Sequence, residues 1–176
     1  MKTGDEEIKL GVVETASPED VLRRLKDLDI ATVSYDHPPL FTVEDSKALR
    51  GPLPGGHCKN LFLKGKKNKM WLLVCRENQS VNLKALGAKL GGERLSFGSP
   101  ERLMTYLGVI PGAVSPFALI NDLQTDINVI LDKDMLHLSP LNFHPITNEK
   151  TIAIQPDDLL KYIKSCGHQP KILDLN

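Results

Sequence analysis

The chain has no long apolar run, no excess of charge and few aromatic residues. No stretch approaches the roughly 18 apolar residues that a membrane span needs, and Met1–Glu7 has no apolar signal core. The sequence therefore predicts a cytoplasmic protein with no membrane partner. Lys and Arg together number 22, as do Asp and Glu. That balance argues against DNA, bulk nucleic acid or anionic lipid as a partner held by net charge. Any RNA contact must come from a local patch, such as Lys64, Lys66, Lys67 and Lys69, which also reads as a solvated hairpin tip. Aromatics make up only 5% of the chain, so surfaces on which bases could stack are few. Three cysteines, Cys58, Cys75 and Cys166, are widely spaced and odd in number. They do not fit a disulfide framework and suit a reducing compartment; none has zinc spacing, so no metal is expected. The P-loop, dinucleotide, nucleophile-elbow and zincin motifs are all absent.

What is present reads as one domain, because 176 residues can build a single substantial core. Residues 1–16 form a polar, weakly patterned lead-in, and 17–176 carry the patterned elements. Ser17-Pro18-Glu19-Asp20 predicts a helix start: serine caps, proline fits the first turn, and acids suit the positive end of the dipole. Val21, Leu22, Leu25 and Leu28 then give an apolar stripe. Ala31–Tyr35 alternates as a strand, broken by His37-Pro38-Pro39, and Thr42 with Asp45 predicts a cap opening a helix to about Leu49. Asn60–Leu63 and Met70–Cys75 predict a hairpin around a Lys/Gly/Asn tip. A short strand near Ser80–Asn82 should lead into a helix over Leu83–Leu90, ended by Gly91-Gly92. Arg94–Phe97 reads as a strand, and Ser99-Pro100 opens a helix that stops at Gly108. Ala118–Asn121 and Ile127–Leu131 read as paired strands; Leu141–Phe143, Thr151–Ile154 and Lys171–Leu173 are further strands, and Pro156 opens the last helix, ending near Gly167. The interspersion predicts a mixed α/β (α+β) fold, with a largely antiparallel sheet flanked by helices, rather than a doubly wound one.

Three stretches carry chemistry. In Gly55-Gly56-His57-Cys58-Lys59-Asn60 a glycine pair allows close backbone approach to a ligand, and Lys59 offers a point charge for an anion. Lys59 also reads as a surface lysine at a strand entry, and Asn60 as a local backbone partner. The loop Gly108-Val109-Ile110-Pro111-Gly112-Ala113-Val114-Ser115-Pro116-Phe117 is rigid enough to present backbone groups, or is a plain connector. In Phe143-His144-Pro145, proline holds His144 extended, and Asn148 and Thr151 suit tying down the following turn. His37 and His57 are weaker candidates of the same kind. Cys58 has no evident activating base and is assigned no role.

The ordered set His37-Pro38-Pro39 with Phe41-Thr42-Val43-Glu44, Gly55-Gly56-His57 with Lys59-Asn60-Leu61-Phe62-Leu63, Arg94-Leu95-Ser96-Phe97, the 107–117 loop, and Phe143-His144-Pro145 with Asn148 resembles the prolyl-tRNA editing-domain superfamily. Within it the set looks most like the freestanding alanyl-tRNA(Pro) deacylases. The resemblance implies an editing domain over 17–176 that hydrolyses Ala-tRNA(Pro) in trans and spares Pro-tRNA(Pro). A proline pocket cannot strongly exclude alanine, since one methylene is worth only about 1–3 kcal/mol; a second, smaller sieve then removes the error. Carried over, Lys59 meets a phosphate near the terminal adenosine and Asn60 positions that end. Gly108, Pro111 and Gly112, with Ser115 and Phe117, hold the aminoacyl group, and His144 shapes the pocket beside His57 and Asn148. The adenosine 2′-hydroxyl helps to activate the water, and no cofactor or metal is implied. The implied partners are the CCA end and acceptor stem of tRNA(Pro) and, in some settings, prolyl-tRNA synthetase, with a monomer as the default. Phe41, Phe62 and Phe117 are the aromatics nearest the motifs. Deacylation of Cys-, Ser- or other small-residue tRNA(Pro), or non-catalytic tRNA binding on the same fold, are the alternatives.

Overall fold

In the computed structural model, residues 15–40, 43–50 and 53–176 are described. The expected cap at Thr42, the aromatic Phe41 and residues 1–14 of the lead-in lie outside that set. Helix α1 (Pro18–Asp27) starts on a reciprocal cap: Asp20 N–H donates to Ser17 Oγ at 3.2 Å, and Ser17 N–H to Asp20 Oδ2 at 2.8 Å. Its Val21 and Leu25 are buried. Strand β1 (Val33–Asp36) and helix α2 (Val43–Arg50) follow. Strands β2 (Gly56–Lys64) and β3 (Met70–Arg76) form the expected antiparallel hairpin, Cys58 opposite Arg76 through Lys64 opposite Met70. Helix α3 (Leu83–Lys89) is capped by the Asn82 side chain, and two-residue β4 (Ser96–Phe97) joins the outer edge of β2. Helix α4 (Pro100–Leu107) begins under Ser99 and ends on Gly108, whose φ of 65° suits a residue without Cβ. Strands β5 (Ile127–Asp132), β6 (Leu141–Phe143) and β7 (Lys150–Ile154), helix α5 (Pro156–Ser165) and β8 (Lys171–Leu173) complete the chain.

The sheet runs β1-β7-β6-β2-β3-β5-β8, with β4 on β2. Pairs β1–β7, β6–β7, β2–β3 and β2–β4 are antiparallel; β2–β6, β3–β5 and β5–β8 are parallel. β3 lies between β2 and β5, so Met70–Cys75 is buried on both faces and reads as an unbroken apolar run. Alternation splits its side chains: Met70, Leu72 and Val74 join one core cluster with Leu103, Leu107, Phe117 and Tyr162; Trp71, Leu73 and Cys75 join another with Leu86.

Two expected strands are absent. Ser80–Asn82 is loop, because Asn82 spends its side chain on the N–H of Ala85. Ala118–Asn121 belongs to a 3₁₀ turn, Pro116–Asn121, which starts where Ser115 Oγ accepts from Phe117 N–H at 3.1 Å. Its apolar residues face the core as a short helix would place them, and β5 pairs with β3 and β8 instead. That turn ends at Asp122, which accepts from the N–H groups of Asp126 and Ile127 and from His168 Nε2 at 2.8 Å, a pair almost wholly buried.

Candidate active site

The sheet forks at β2. Its outer edge pairs with β6 only at Gly56 and His57 and with β4 only at Leu63 and Lys64, so 58–62 have no strand partner on that side among the described residues. A cavity of about 190 Å³ opens at the fork. β2 contributes His57, Cys58 and Asn60; β6 and the residue after it contribute Asn142, Phe143 and His144. β1 and the residue after it add Tyr35, Asp36 and His37, and β7 adds Thr151, because the β1–β7 register sets Tyr35 opposite Thr151.

His144 Nδ1 lies 2.9 Å from the Lys150 carbonyl. A carbonyl only accepts, so the network assigns the proton to Nδ1 and leaves the Nε2 lone pair unspent in that tautomer. Burial lowers the His144 pKa, the Lys150 carbonyl opposes that shift, and the nearby His37 adds to it. The imidazole is therefore held neutral at physiological pH. The His37 ring stands edge-on to His144 at 5.8 Å, with Nδ1 2.9 Å from the Pro38 carbonyl and Nε2 2.8 Å from Thr151 Oγ1.

Asn142 Nδ2 donates to the Pro54 and Gly56 carbonyls at 3.1 and 3.2 Å, clamping the entry of β2. Its Oδ1, like that of Asn60, is buried with no hydrogen-bond partner among the described residues. An unmet buried acceptor costs about 1–3 kcal/mol, and such costs concentrate at functional sites. Burial pushes the Cys58 thiol up to about 12, so it carries almost no thiolate at neutral pH. Phe143 is locked edge-to-face on Phe117 at 6.2 Å, which makes that wall rigid.

The structure brings some of the anticipated residues together and separates others. His57, Asn60 and His144 line the cavity. Asn148 lies one layer behind: its Nδ2 donates to the Leu40 carbonyl at 3.1 Å, and Leu40 is a cavity wall. A Cβ on Gly112 would stand 3.5 Å from that same carbonyl, so the Gly-Pro loop backs Leu40. Pro111 opens a 3₁₀ turn and is not on the lining. Gly108 faces a separate groove with Thr15 and Asn121. Ser115 and Phe117 are wholly buried in the core and do not reach the cavity, because the 3₁₀ turn carries them inward.

Lys59 projects from the opposite face of β2, by strict alternation with Cys58 and Asn60. Its Nζ donates to the Gln79 carbonyl, and the Arg76–Asp132 ion pair at 3.0 Å steadies that loop. The glycine pair also has a packing role. A Cβ on Gly55, at φ 101°, would fall 2.3 Å from the Pro140 carbonyl, and one on Gly56 would fall 2.7 Å from Leu138. These glycines admit close packing of the chain on itself.

Sequence reasoning missed Asn142. Its signal was present: one amide between Leu141 and Phe143 in an apolar strand, next to His144. Among the described residues no group of three or more His, Cys, Asp or Glu is placed to hold a metal ion, and no helix is long and apolar enough to cross a membrane.

Residues 37–162 match the family model for the aminoacyl-tRNA editing domain. The prolyl-tRNA editing protein ProX of Acetoanaerobium sticklandii is 34% identical over 156 residues, covering 88% of this chain and 95% of the relative. The prolyl-tRNA synthetase associated domain-containing protein 1 of Xenopus laevis is 36% identical over 160 residues, covering 88% and 95%. A solved structure described as a "putative trans-editing enzyme for prolyl tRNA synthetase" superimposes with a TM-score of 0.66 at 21% identity, over 93% of this chain and 99% of that one. At that identity it supports the fold alone.

Proposed function

The chain belongs to the aminoacyl-tRNA editing domain family, and from that premise we propose that it is a trans-acting deacylase that removes alanine from mischarged tRNA(Pro) and spares Pro-tRNA(Pro). The carrying observation is a small cavity with a neutral histidine acceptor and a Cys58 thiol that burial keeps protonated, while the lining carboxylate Asp36 is exposed and ion-paired with Lys150. Such a site suits a reaction whose nucleophile is water. Water adds to the ester carbonyl, the bond to the ribose oxygen breaks, and the oxygen leaves with a proton as the terminal hydroxyl. An ester on tRNA is already activated, so positioning and electrostatics can carry most of the rate.

In this reading His144 Nε2 accepts a hydrogen bond from the water or from the adenosine 2′-hydroxyl that activates it. Asn60 and His57 orient the terminal nucleoside. Lys59 reaches a phosphate across the open edge of β2. Asn148 and the loop containing Gly108, Pro111 and Gly112 hold the wall formed by Leu40. The rigid wall at Phe143 supplies the size limit. The partners are the 3′ end and acceptor stem of tRNA(Pro), met in the cytoplasm by a monomer, with the synthetase as a further partner.

The test is hydrolysis of Ala-tRNA(Pro) beside the Pro, Cys and Ser esters of the same tRNA. Alanine should be lost at least about 10- to 200-fold faster than proline, the range a methylene-scale sieve supports. Faster loss of Cys or Ser would reassign the preferred residue, and hydrolysis of none of the four would end the enzyme reading.

A further inference from the structure

Among the described residues, the aromatic most exposed to solvent is not at the cavity. Among the described residues Phe97 is the one Phe, Tyr or Trp left mostly in water, at 66% exposure, whereas Phe62 and Phe117 are core. Phe97 sits on β4 directly opposite Leu63. Residues paired across antiparallel strands project to one face, and alternation along β2 puts Lys59, Leu61 and Leu63 on that face too. Four strand steps take Lys59 to Leu63, about 13 Å.

Beyond Leu63 the strand enters the tip, where Lys66, Lys67 and Lys69 are exposed. The tip is braced. Gly65 N–H donates to the Lys69 carbonyl at 2.7 Å, Lys66 N–H to Glu93 Oε2 at 2.8 Å, and Arg102 Nη2 to Asn68 Oδ1 at 3.4 Å. Segments 64–69 and 93–102 hold Lys64, Lys66, Lys67, Lys69, Arg94 and Arg102, against the acids Glu93 and Glu101 alone. A chain of zero formal charge thus gathers positive charge and an exposed ring around the far end of β2, at the tip and on the neighbouring β4 segment. Cations that track phosphates beside an aromatic that takes a base face are the means by which proteins grip unpaired nucleic acid.

We infer that β4 and the β2–β3 tip form a second RNA surface, with Phe97 stacked on an unpaired base upstream of the reacting 3′ end and the tip lysines on acceptor-stem phosphates. The inference rests on the deacylase reading above for the identity of the RNA. It commits to RNA and not to a docked protein, because an exposed ring on β4 stands beside the cations clustered at the β2–β3 tip.

The experiment compares Phe97→Ala, Phe97→Leu and the triple change K66Q/K67Q/K69Q on two substrates, Ala-tRNA(Pro) and alanyl-adenosine, which lacks every upstream nucleotide. On tRNA, kcat/KM should fall about 5- to 150-fold for Phe97→Ala, the loss of one base stack. Phe97→Leu should follow it, since bulk without a ring does not stack. The triple change should flatten the logarithmic salt dependence by about 0.9 for each duplex phosphate that is no longer neutralised. Alanyl-adenosine should be hydrolysed at the wild-type rate by all three. Equal losses on both substrates, or no loss on either, would overturn the surface while leaving the deacylase standing. A loss seen only with prolyl-tRNA synthetase present would also overturn it and make the patch a protein-docking site. If the wild type hydrolyses neither ester, the deacylase reading falls. Fluorescence anisotropy with an uncharged acceptor-stem minihelix then decides the surface: weaker binding by the variants upholds it, and equal binding removes it.

Discussion

Replacing His144 by alanine separates two roles that the cavity geometry alone allows. The ring spends Nδ1 on the Lys150 carbonyl at 2.9 Å, and burial keeps it neutral, so only Nε2 is available to water or substrate. If that nitrogen orients, its loss removes one hydrogen bond worth about 0.5–1.5 kcal/mol net, or about 2- to 13-fold in rate. A general base would be worth about 100- to 10,000-fold. The expected single-turnover rate on Ala-tRNA(Pro) is therefore within about 13-fold of wild type, and a loss beyond about 100-fold would refute positioning. Unchanged kinetics on both the Ala and Ser esters would take His144 out of the site altogether. The same substitution strips the Lys150 carbonyl of its donor, a cost of about 1–3 kcal/mol. For a chain of this size that lowers the melting temperature by about 2–12 °C, so rates should be compared well below the transition. The pH dependence has a definite sign. Because the folded pKa is depressed, the native state binds fewer protons than the unfolded chain as pH falls through the ordinary histidine value. Stability from this group is complete above that value and erodes on the acid side. The rate should likewise be flat above neutrality and fall only in acid, and a fall on the alkaline side would contradict a neutral His144.

Two further predictions come from the polar network. Lys59→Ala should raise KM for aminoacyl-tRNA and make the salt dependence shallower by about 0.7 in logarithmic slope; an unchanged slope would show that Lys59 serves only the Gln79 carbonyl. Burial pushes the Asp122 carboxyl up, but the hydrogen bonds from His168, Ile127 and Asp126 outweigh it and hold the pKa below the ordinary value. The pair with His168 is 3% exposed on each side. Asp122→Ala should thus cost about 3–5 kcal/mol at neutral pH and lower the melting temperature by about 6–20 °C. In the wild type that stabilisation is present above the unfolded carboxyl value near 4 and is lost below it. A melting temperature within about 2 °C of wild type would show that the pair is energetically idle.

Much of the fold is legible in local chemistry. Ser17, Asn82 and Ser99 announce helices because a capping side chain acts within three residues, and Gly108 ends one because its left-handed φ favours a residue without Cβ. The hairpin is legible because its apolar runs flank a polar tip. Ala118–Asn121 is not legible. A short apolar run suits a buried strand or a buried turn equally, and only the Ser115 cap, with Tyr162 Oη donating to the Phe117 carbonyl at 2.9 Å, selects the turn.

The candidate site divides in the same way. His144 and Asn60 could be picked out because Pro145 and the Gly-rich entry mark where strands end. Sequence order, however, says nothing about which face of β2 a residue meets once that strand leaves β6 and rejoins β4. Alternation beside that fork sends Asn60 into the cavity and Lys59 to the other side, the 3₁₀ turn sinks Ser115 and Phe117 into the core, and β4 leaves Phe97 in water. The capped helices, the hairpin, the neutral charge and the family motifs can be read off the linear chain, because each depends on neighbours along it. Strand order, the fork, the Asn142 clamp and the exposure of each aromatic arise only in three dimensions, because they depend on which strand edges are left without a partner.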